Sequence, residues 1–147
     1  MSGRVGVAVL GSTGSIGVST LDVLGRHPDR FRVVALSARR NVEGLLQQCL
    51  DHAPDYAVMV DADAAEQLYR RLRTAGRAVE VLAGAAGLER IAALPTVTTV
   101  MAAIVGAAGL LSTLAAAHAG KRVLRANKEA LVMAGPPCMA AVRANGA

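Results

Sequence analysis

Short apolar runs alternate with amphipathic stretches along most of this chain. Each apolar run is rich in Val, Leu, Ile or Ala and is bounded by polar residues, Gly or Pro, as expected of buried parallel strands. The predicted strands are Val5–Leu10, Phe31–Ser37, Tyr56–Val60, Val79–Leu82, Val97–Val105 and Arg122–Ala126. This alternation predicts the α/β class: a Rossmann-like, doubly wound, mostly parallel sheet with helices on both faces.

The stretches between these runs carry apolar residues at helical spacing. After the first strand, Ile16, Val23 and Leu24 form the apolar pattern of a helix, with the small Thr20 between them. A clearer stripe follows Asn41, whose side chain is of the type that caps helices. Its apolar positions are Val42, Leu45, Leu46, Cys49, Leu50 and Ala53. Further helices are predicted after Asp61, over Gly87–Leu94, over Leu110–His118 and from Asn127.

The composition fits one domain with an aliphatic core. The chain has 147 residues, 53% of them hydrophobic but only 2% aromatic, and we treat residues 1–147 as one unit. No apolar run reaches the roughly 18 residues that a membrane-spanning helix needs. The first strand begins close to Met1, which leaves no room for a leader peptide, so we expect a soluble, cytoplasmic protein with no membrane partner.

The charge and the titratable residues narrow the function classes. The net charge is +5, but the basic residues are scattered and few aromatic side chains could stack on bases, which argues against a nucleic-acid partner. Ligands that carry phosphate groups would suit the same charge.

Cys49 and Cys138 lack metal-ligand spacing, and Cys49 is expected to be a buried, reduced thiol. The three histidines fall near predicted helix ends, where a cation is favourable: His27, His52 and His118.

Glycines spaced three apart follow the first strand. In the glycine loop, residues 11–17, Gly11, Gly14 and Gly17 allow a tight turn, close approach of a pyrophosphate and close helix packing. Free N–H groups at the start of the next helix would meet the phosphate charge. The hydroxyls of Thr13 and Ser15 could bind phosphate, but both residue types also cap helices, and the two roles are compatible.

A second candidate site follows the second strand. Proteins that bind NAD commonly have an acidic residue about 20 positions past the glycine loop, where it accepts hydrogen bonds from the ribose. This chain has Arg39, Arg40 and Asn41 there, which we call the arginine turn (residues 39–41). Guanidinium groups suit the 2′-phosphate of NADP, because they pair with phosphate through charge-assisted hydrogen bonds. The alternative is an ordinary solvated basic turn.

A third candidate site follows the last predicted strand, where Asn127, Lys128 and Glu129 stand in a row. The Asn side chain could hydrogen-bond an amide or a ribose, Lys supplies a point charge for an anionic substrate, and Glu at a helix start could orient its neighbours. The alternative is an Asn cap followed by an ordinary charged first turn.

With these sites in view, the sequence resembles the 1-deoxy-D-xylulose 5-phosphate reductoisomerase family over nearly its whole length. The matching segments are Leu10–Gly17, Ser19–Asp22, Phe31–Leu36, Met101–Leu110 and Ala126–Glu129. The resemblance implies an enzyme that rearranges 1-deoxy-D-xylulose 5-phosphate and reduces the product with NADPH to 2-C-methyl-D-erythritol 4-phosphate, in non-mevalonate isoprenoid biosynthesis. It also implies a homodimer that needs Mg²⁺ or Mn²⁺.

The resemblance assigns roles to residues of all three sites. It implies that the glycine loop binds the NADPH phosphates and that Lys128 binds the sugar-phosphate substrate. The residues implied to bind NADPH are Thr13, Gly14, Ser15, Ile16, Arg40, Asn41, Asn127 and Glu129. Arg39 stands where the family often has glycine, and Ala130 stands where it commonly has serine.

The family continues beyond these motifs with an Asp-x-Glu metal motif and a catalytic domain, neither of which occurs in these residues. We therefore expect the NADPH-binding N-terminal domain of such an enzyme, inactive alone, with no catalytic or metal-binding residue of its own. Two alternatives stay open. One is an NADP-binding module of another oxidoreductase, such as a semialdehyde or homoserine dehydrogenase, and the other is a dinucleotide-sensing domain without catalysis.

Overall fold

Strands and helices alternate through the part of the chain that the computed structural model describes, residues 4–103 and 106–125. The strands are β1 (Val5–Leu10), β2 (Phe31–Ala38), β3 (Tyr56–Met59), β4 (Glu80–Ala83), β5 (Thr99–Ala102) and β6 (Arg122–Arg125). The helices are α1 (Ser15–Gly25), α2 (Val42–His52), α3 (Ala62–Thr74), α4 (Gly84–Ala92) and α5 (Gly106–His118). The predicted alternation is confirmed over these residues.

The strands form one sheet in the order β4-β3-β2-β1-β5-β6, and every neighbouring pair is parallel. From β1 the chain runs outward to β4, returns past β1 through α4, and continues from β5 to β6. The direction of winding therefore reverses between β1 and β5. Because right-handed crossovers are strongly preferred, this reversal puts the two sets of helices on opposite faces of the sheet.

Two separate hydrophobic cores confirm the helices on both faces. Alternate residues of β1 point to opposite sides, so Val7 and Val9 lie in one core and Ala8 and Leu10 in the other. The first core is completed by apolar residues of α1, α2 and α3, and the second by those of α4 and α5. The sheet therefore forms the middle of three layers, as predicted from its near-continuous apolar strands.

The helix α1 packs differently from its predicted apolar pattern. Leu24 is buried, but Ile16 and Val23 are 46% and 52% exposed. The buried positions are Gly17, Leu21 and Leu24, which lie at i, i+4 and i+7 on one face. Ile16 and Val23 each precede one of these positions by one residue, which turns them about 100° away from the sheet.

The Asn41 side chain caps α2 as predicted, and Asp61 caps α3 in the same way. The Asn41 side chain accepts a hydrogen bond from the Gly44 N–H, and that of Asp61 accepts one from the Ala64 N–H. His52 and His118 lie in the last turns of α2 and α5.

The element bounds differ from the predicted ones mainly at α4, β5 and α5, and α5 begins at Gly106, four residues before its predicted start at Leu110. The helix α4 begins at Gly84, three residues before its predicted start, because Gly84 adopts a positive φ that turns the chain directly out of β4. Among the described residues of the predicted run Val97–Val105, the strand β5 covers Thr99–Ala102. The helix predicted from Asn127 lies outside the described residues.

Within residues 4–103 and 106–125, no helix has the length and apolar character to span a membrane.

Cys49 supports a first prediction, because its thiol is fully buried in the core beneath α2. Burial raises the pKa of this thiol to about 12, since a thiolate there would lose its hydration. In a Cys138→Ser variant, we expect Cys49 to react with an aromatic disulfide reagent at pH 8 only after unfolding in urea. Rapid labelling of the folded variant would contradict the buried placement.

Candidate functional site

The glycine loop and the arginine turn emerge at the same edge of the sheet. Each follows the carboxyl end of its strand, β1 or β2, and these strands are parallel neighbours, with Val9 paired to Leu36. Ligands of doubly wound sheets bind outside the carboxyl ends of the strands, where the winding reverses. The structure thus brings two of the predicted sites together beside the reversal at β1 and β5.

Two of the three glycines are required by the backbone itself. Gly11 has a φ of 78°, in the left-handed region that favours glycine. A Cβ on Gly17 would come within 2.5 Å of the Ser12 Cα atom and would also collide with the Gly11 carbonyl oxygen. The start of α1 therefore rests directly on the loop backbone, which confirms the predicted tight turn and close helix packing.

No contact with the described residues requires glycine at position 14. Gly14 is exposed, its φ of −77° suits any residue, and a Cβ there would make only ordinary contact, 3.6 Å from the Gly11 carbonyl oxygen. A small residue at this position leaves open space in front of the loop backbone. This space fits the predicted approach of a pyrophosphate.

The start of α1 presents unpaired backbone donors beside that space. Gly14 is the N-cap residue, and no side chain of the described residues caps the helix. The first N–H groups of a helix lack acceptors within it, and their partial positive charge attracts anions. The capping alternative for Thr13 and Ser15 is not observed, so their hydroxyls are available to a ligand. Ile16, in the same turn, offers an exposed apolar surface.

A partly buried hydrogen-bond network holds the loop in place. The Gly11 N–H donates to the Ser37 hydroxyl (2.9 Å), and the Ser12 N–H donates to the Ser37 carbonyl oxygen (2.8 Å). The Ser12 hydroxyl lies 2.7 Å from Gln48 Oε1, and Gln48 Nε2 donates to the Ser12 carbonyl oxygen (2.8 Å). Sequence reasoning missed these roles of Ser12 and Gln48, and it placed Ser37 at the end of the second predicted strand without a role in the glycine loop.

The arginine turn carries positive charge that the described residues do not neutralise. Arg39 and Arg40 are exposed, and neither guanidinium forms a hydrogen bond or an ion pair with another described residue. Other arginines pair with acidic side chains: Arg26, Arg32, Arg70, Arg71 and Arg90. The two free guanidinium groups therefore stand ready for an anion beside the glycine loop.

Asn41 closes the arginine turn and begins α2 at the same time. Its Oδ1 atom accepts from the Gly44 N–H at 3.0 Å, and the Nδ2 group donates to no described residue, so it is available to a ligand. Gly44 makes room for this cap, because a Cβ there would come within 2.6 Å of Asn41 Nδ2. Glu43, the acidic residue nearest in sequence, pairs with Arg71 instead of the turn, and this pairing lowers the pKa of its carboxyl group.

The third predicted site, Asn127, Lys128 and Glu129, lies outside the described residues, so its roles stay predictions. The strand that precedes it, β6, lies two positions from β1 on the side away from β2. Among the described residues, no three His, Cys, Asp or Glu side chains form a group that could hold a metal ion.

The sheet order and the glycine loop at its centre define a Rossmann-like domain of the class that binds dinucleotides. The sequence model of the 1-deoxy-D-xylulose 5-phosphate reductoisomerase family matches residues 7–135. The chain belongs to that family. The family match decides against the semialdehyde and homoserine dehydrogenases as the source of the domain.

Individual relatives agree with this assignment. The chain is 66% identical over 143 residues to a 1-deoxy-D-xylulose 5-phosphate reductoisomerase of Methylococcus capsulatus, covering 97% of this chain and 36% of the relative. A crystal structure of DOX-P reductoisomerase with NADPH, fosmidomycin and magnesium superposes with a TM-score of 0.92 at 46% identity, covering 97% of this chain and 35% of that one.

A reductoisomerase of Zymomonas mobilis in complex with NADPH gives a TM-score of 0.90 at 45% identity, with 97% of this chain and 37% of that one covered. The chain thus spans about a third of the length of these relatives.

The different roles of Gly17 and Gly14 can be measured by matched substitutions. We expect Gly17→Ala to lower the free energy of unfolding by about 2 kcal/mol or more, because the new methyl group must push α1 off the loop. Gly14→Ala adds the same methyl group in open space and should cost less than about 1 kcal/mol. Urea denaturation of both variants tests this, and equal losses would contradict the close packing at Gly17.

Proposed function

We propose that this chain binds NADPH and forms the cofactor-binding part of a 1-deoxy-D-xylulose 5-phosphate reductoisomerase. The observation that carries the proposal is the pairing of an uncapped helix start at the glycine loop with an unneutralised arginine turn on the neighbouring strand. Two solved relatives are described as NADPH complexes, at 45% and 46% identity.

The chemistry of NADPH fits these two groups of donors. Its pyrophosphate is an anion that suits the N–H groups at the start of α1, with the hydroxyls of Thr13 and Ser15 beside them. Its adenosine 2′-phosphate carries the charge that distinguishes it from NADH, and Arg39, Arg40 and the Asn41 amide supply cationic and neutral donors for it. An acidic side chain in place of these residues would favour NADH.

The other steps of the reaction require parts of the family's enzymes that these 147 residues do not include. When bound, NADPH supplies a hydride to a carbonyl carbon of the rearranged sugar phosphate. This domain binds and orients the cofactor, and we propose that Asn127 and Glu129 contact it near the nicotinamide, with Lys128 on the substrate. We also propose that the full-length protein uses a divalent cation, forms a homodimer and works in the cytoplasm.

Charge reversal in the arginine turn tests the cofactor assignment. We expect Arg39→Glu and Arg40→Glu each to raise the dissociation constant of NADPH at least about tenfold, because a charge-assisted hydrogen bond is replaced by repulsion. That of NADH should change by less than about threefold. Calorimetric titration with both cofactors measures the difference.

Arg77→Glu is the matched control, since Arg77 is also exposed but lies before β4, at the opposite edge of the sheet. It changes the net charge equally and should leave both affinities within about twofold. Equal losses of NADPH and NADH affinity in the Arg39 and Arg40 variants would contradict a 2′-phosphate site.

The 147 residues should bind NADPH without consuming it, because they span about a third of the relatives' length. We expect no loss of NADPH absorbance when 1-deoxy-D-xylulose 5-phosphate and Mg²⁺ are added to the purified chain. A full-length relative serves as the positive control. Metal-dependent NADPH oxidation by the 147 residues would contradict this expectation.

A further inference from the structure

Gln48 belongs to the middle of the α2 sequence, two turns after the helix start. Both polar atoms of its side chain nevertheless contact one residue of the glycine loop. Its Nε2 group donates to the Ser12 carbonyl oxygen at 2.8 Å, and its Oε1 atom lies 2.7 Å from the Ser12 hydroxyl. Ser12 is fully buried. Without Gln48, the Ser12 carbonyl oxygen would lose this hydrogen bond, and the position of Ser12 would be less fixed.

The two residues that hold Ser12 lie on either side of the arginine turn in sequence. Ser37 precedes Arg39 by two residues, at the end of β2, and Gln48 follows Asn41 by two helical turns. The turn is therefore attached to the glycine loop at both of its ends. A shift of α2 relative to the loop would change the separation between the arginine turn and the start of α1.

The loop also transmits its position to α1. Gly17 rests on the Ser12 backbone with no room for a Cβ, so a movement of Ser12 moves the first turn of α1 as well. The N–H groups of that turn are the donors assigned above to the pyrophosphate. Ser12 is thus the point at which the pyrophosphate donors and the arginine turn are joined.

We propose that Gln48 is a positioning residue for cofactor selectivity, which fixes the distance between the pyrophosphate donors and the 2′-phosphate donors by holding Ser12. The inference rests on the proposed function. NADPH carries both phosphate groups on one adenosine, so it benefits from two subsites only when their separation matches its own. NADH lacks the 2′-phosphate and engages only the pyrophosphate donors of the glycine loop. A changed separation between the two sets of donors therefore has little effect on its binding.

The test compares Gln48→Leu with Gln47→Leu. Gln47 is the adjacent residue of α2, but it is exposed, and among the described residues its side chain bonds to Asp51 of the same helix alone. Both substitutions remove the same amide from the same helix. Affinities are measured by calorimetric titration for NADPH, NADH and adenosine 2′-monophosphate, below the unfolding temperature of each variant.

We expect Gln48→Leu to weaken NADPH binding about tenfold, as the loss of its two hydrogen bonds suggests. NADH and adenosine 2′-monophosphate, which each engage one subsite, should weaken by no more than about twofold. The preference for NADPH over NADH therefore falls by at least about fivefold. Gln47→Leu should leave all three affinities within about twofold.

A second variant keeps the inference testable if Gln48→Leu does not fold. Ser12→Ala retains the Cβ atom and removes only the hydroxyl, so it should lower the NADPH preference by a smaller factor, about threefold. Unchanged preference in the folded variants, or equal weakening of all three ligands, would overturn the positioning role. If the unaltered chain shows no preference for NADPH, the proposed function itself fails, which is a distinguishable result.

Discussion

The contact between the backbone of Gly17 and that of Gly11 and Ser12 governs the candidate site. It holds the start of α1 against the end of β1, with no side chain between them. This close packing buries the polar Ser12, so its backbone groups and hydroxyl need partners away from water. Ser37 and Gln48 supply the partners of the Ser12 N–H, hydroxyl and carbonyl groups. One steric constraint thus joins β1, β2 and two helices at the edge where the donors for anions lie.

The sheet topology also decides where the glycine loop lies. Because β1 lies at the centre and its neighbours are β2 and β5, the glycine loop emerges beside the point where the winding reverses. The helices α1 and α2 both begin at this edge, so their positive ends face the same side. Arg39 and Arg40 add full charges there without acidic partners among the described residues. The positive electrostatic potential at this edge therefore favours a ligand with more than one phosphate group.

Much of the fold could be predicted because its signals are local. The apolar runs were rightly interpreted as parallel strands, and Asn41 and Asp61 do cap the helices that follow them. A cap needs only the backbone three residues ahead, so its signal lies within one turn. Ile16 and Val23 were wrongly included in the buried pattern of α1, because the phase of a short helix depends on what it packs against. There the contact at Gly17 decided the phase.

At the candidate site, too, local features could be predicted and long-range contacts could not. The glycine spacing and the pair of arginines were visible in the chain, since backbone conformation and charge are properties of neighbouring residues. The partners of the loop were not visible: Ser12 and Gln48 are 36 positions apart, and Ser12 and Ser37 are 25 apart. Serine and glutamine have no sequence pattern that marks such a pairing. Only the packing of α2 against the sheet at β2 brings an ordinary helix residue to the loop that follows β1, because that contact depends on strand order and packing.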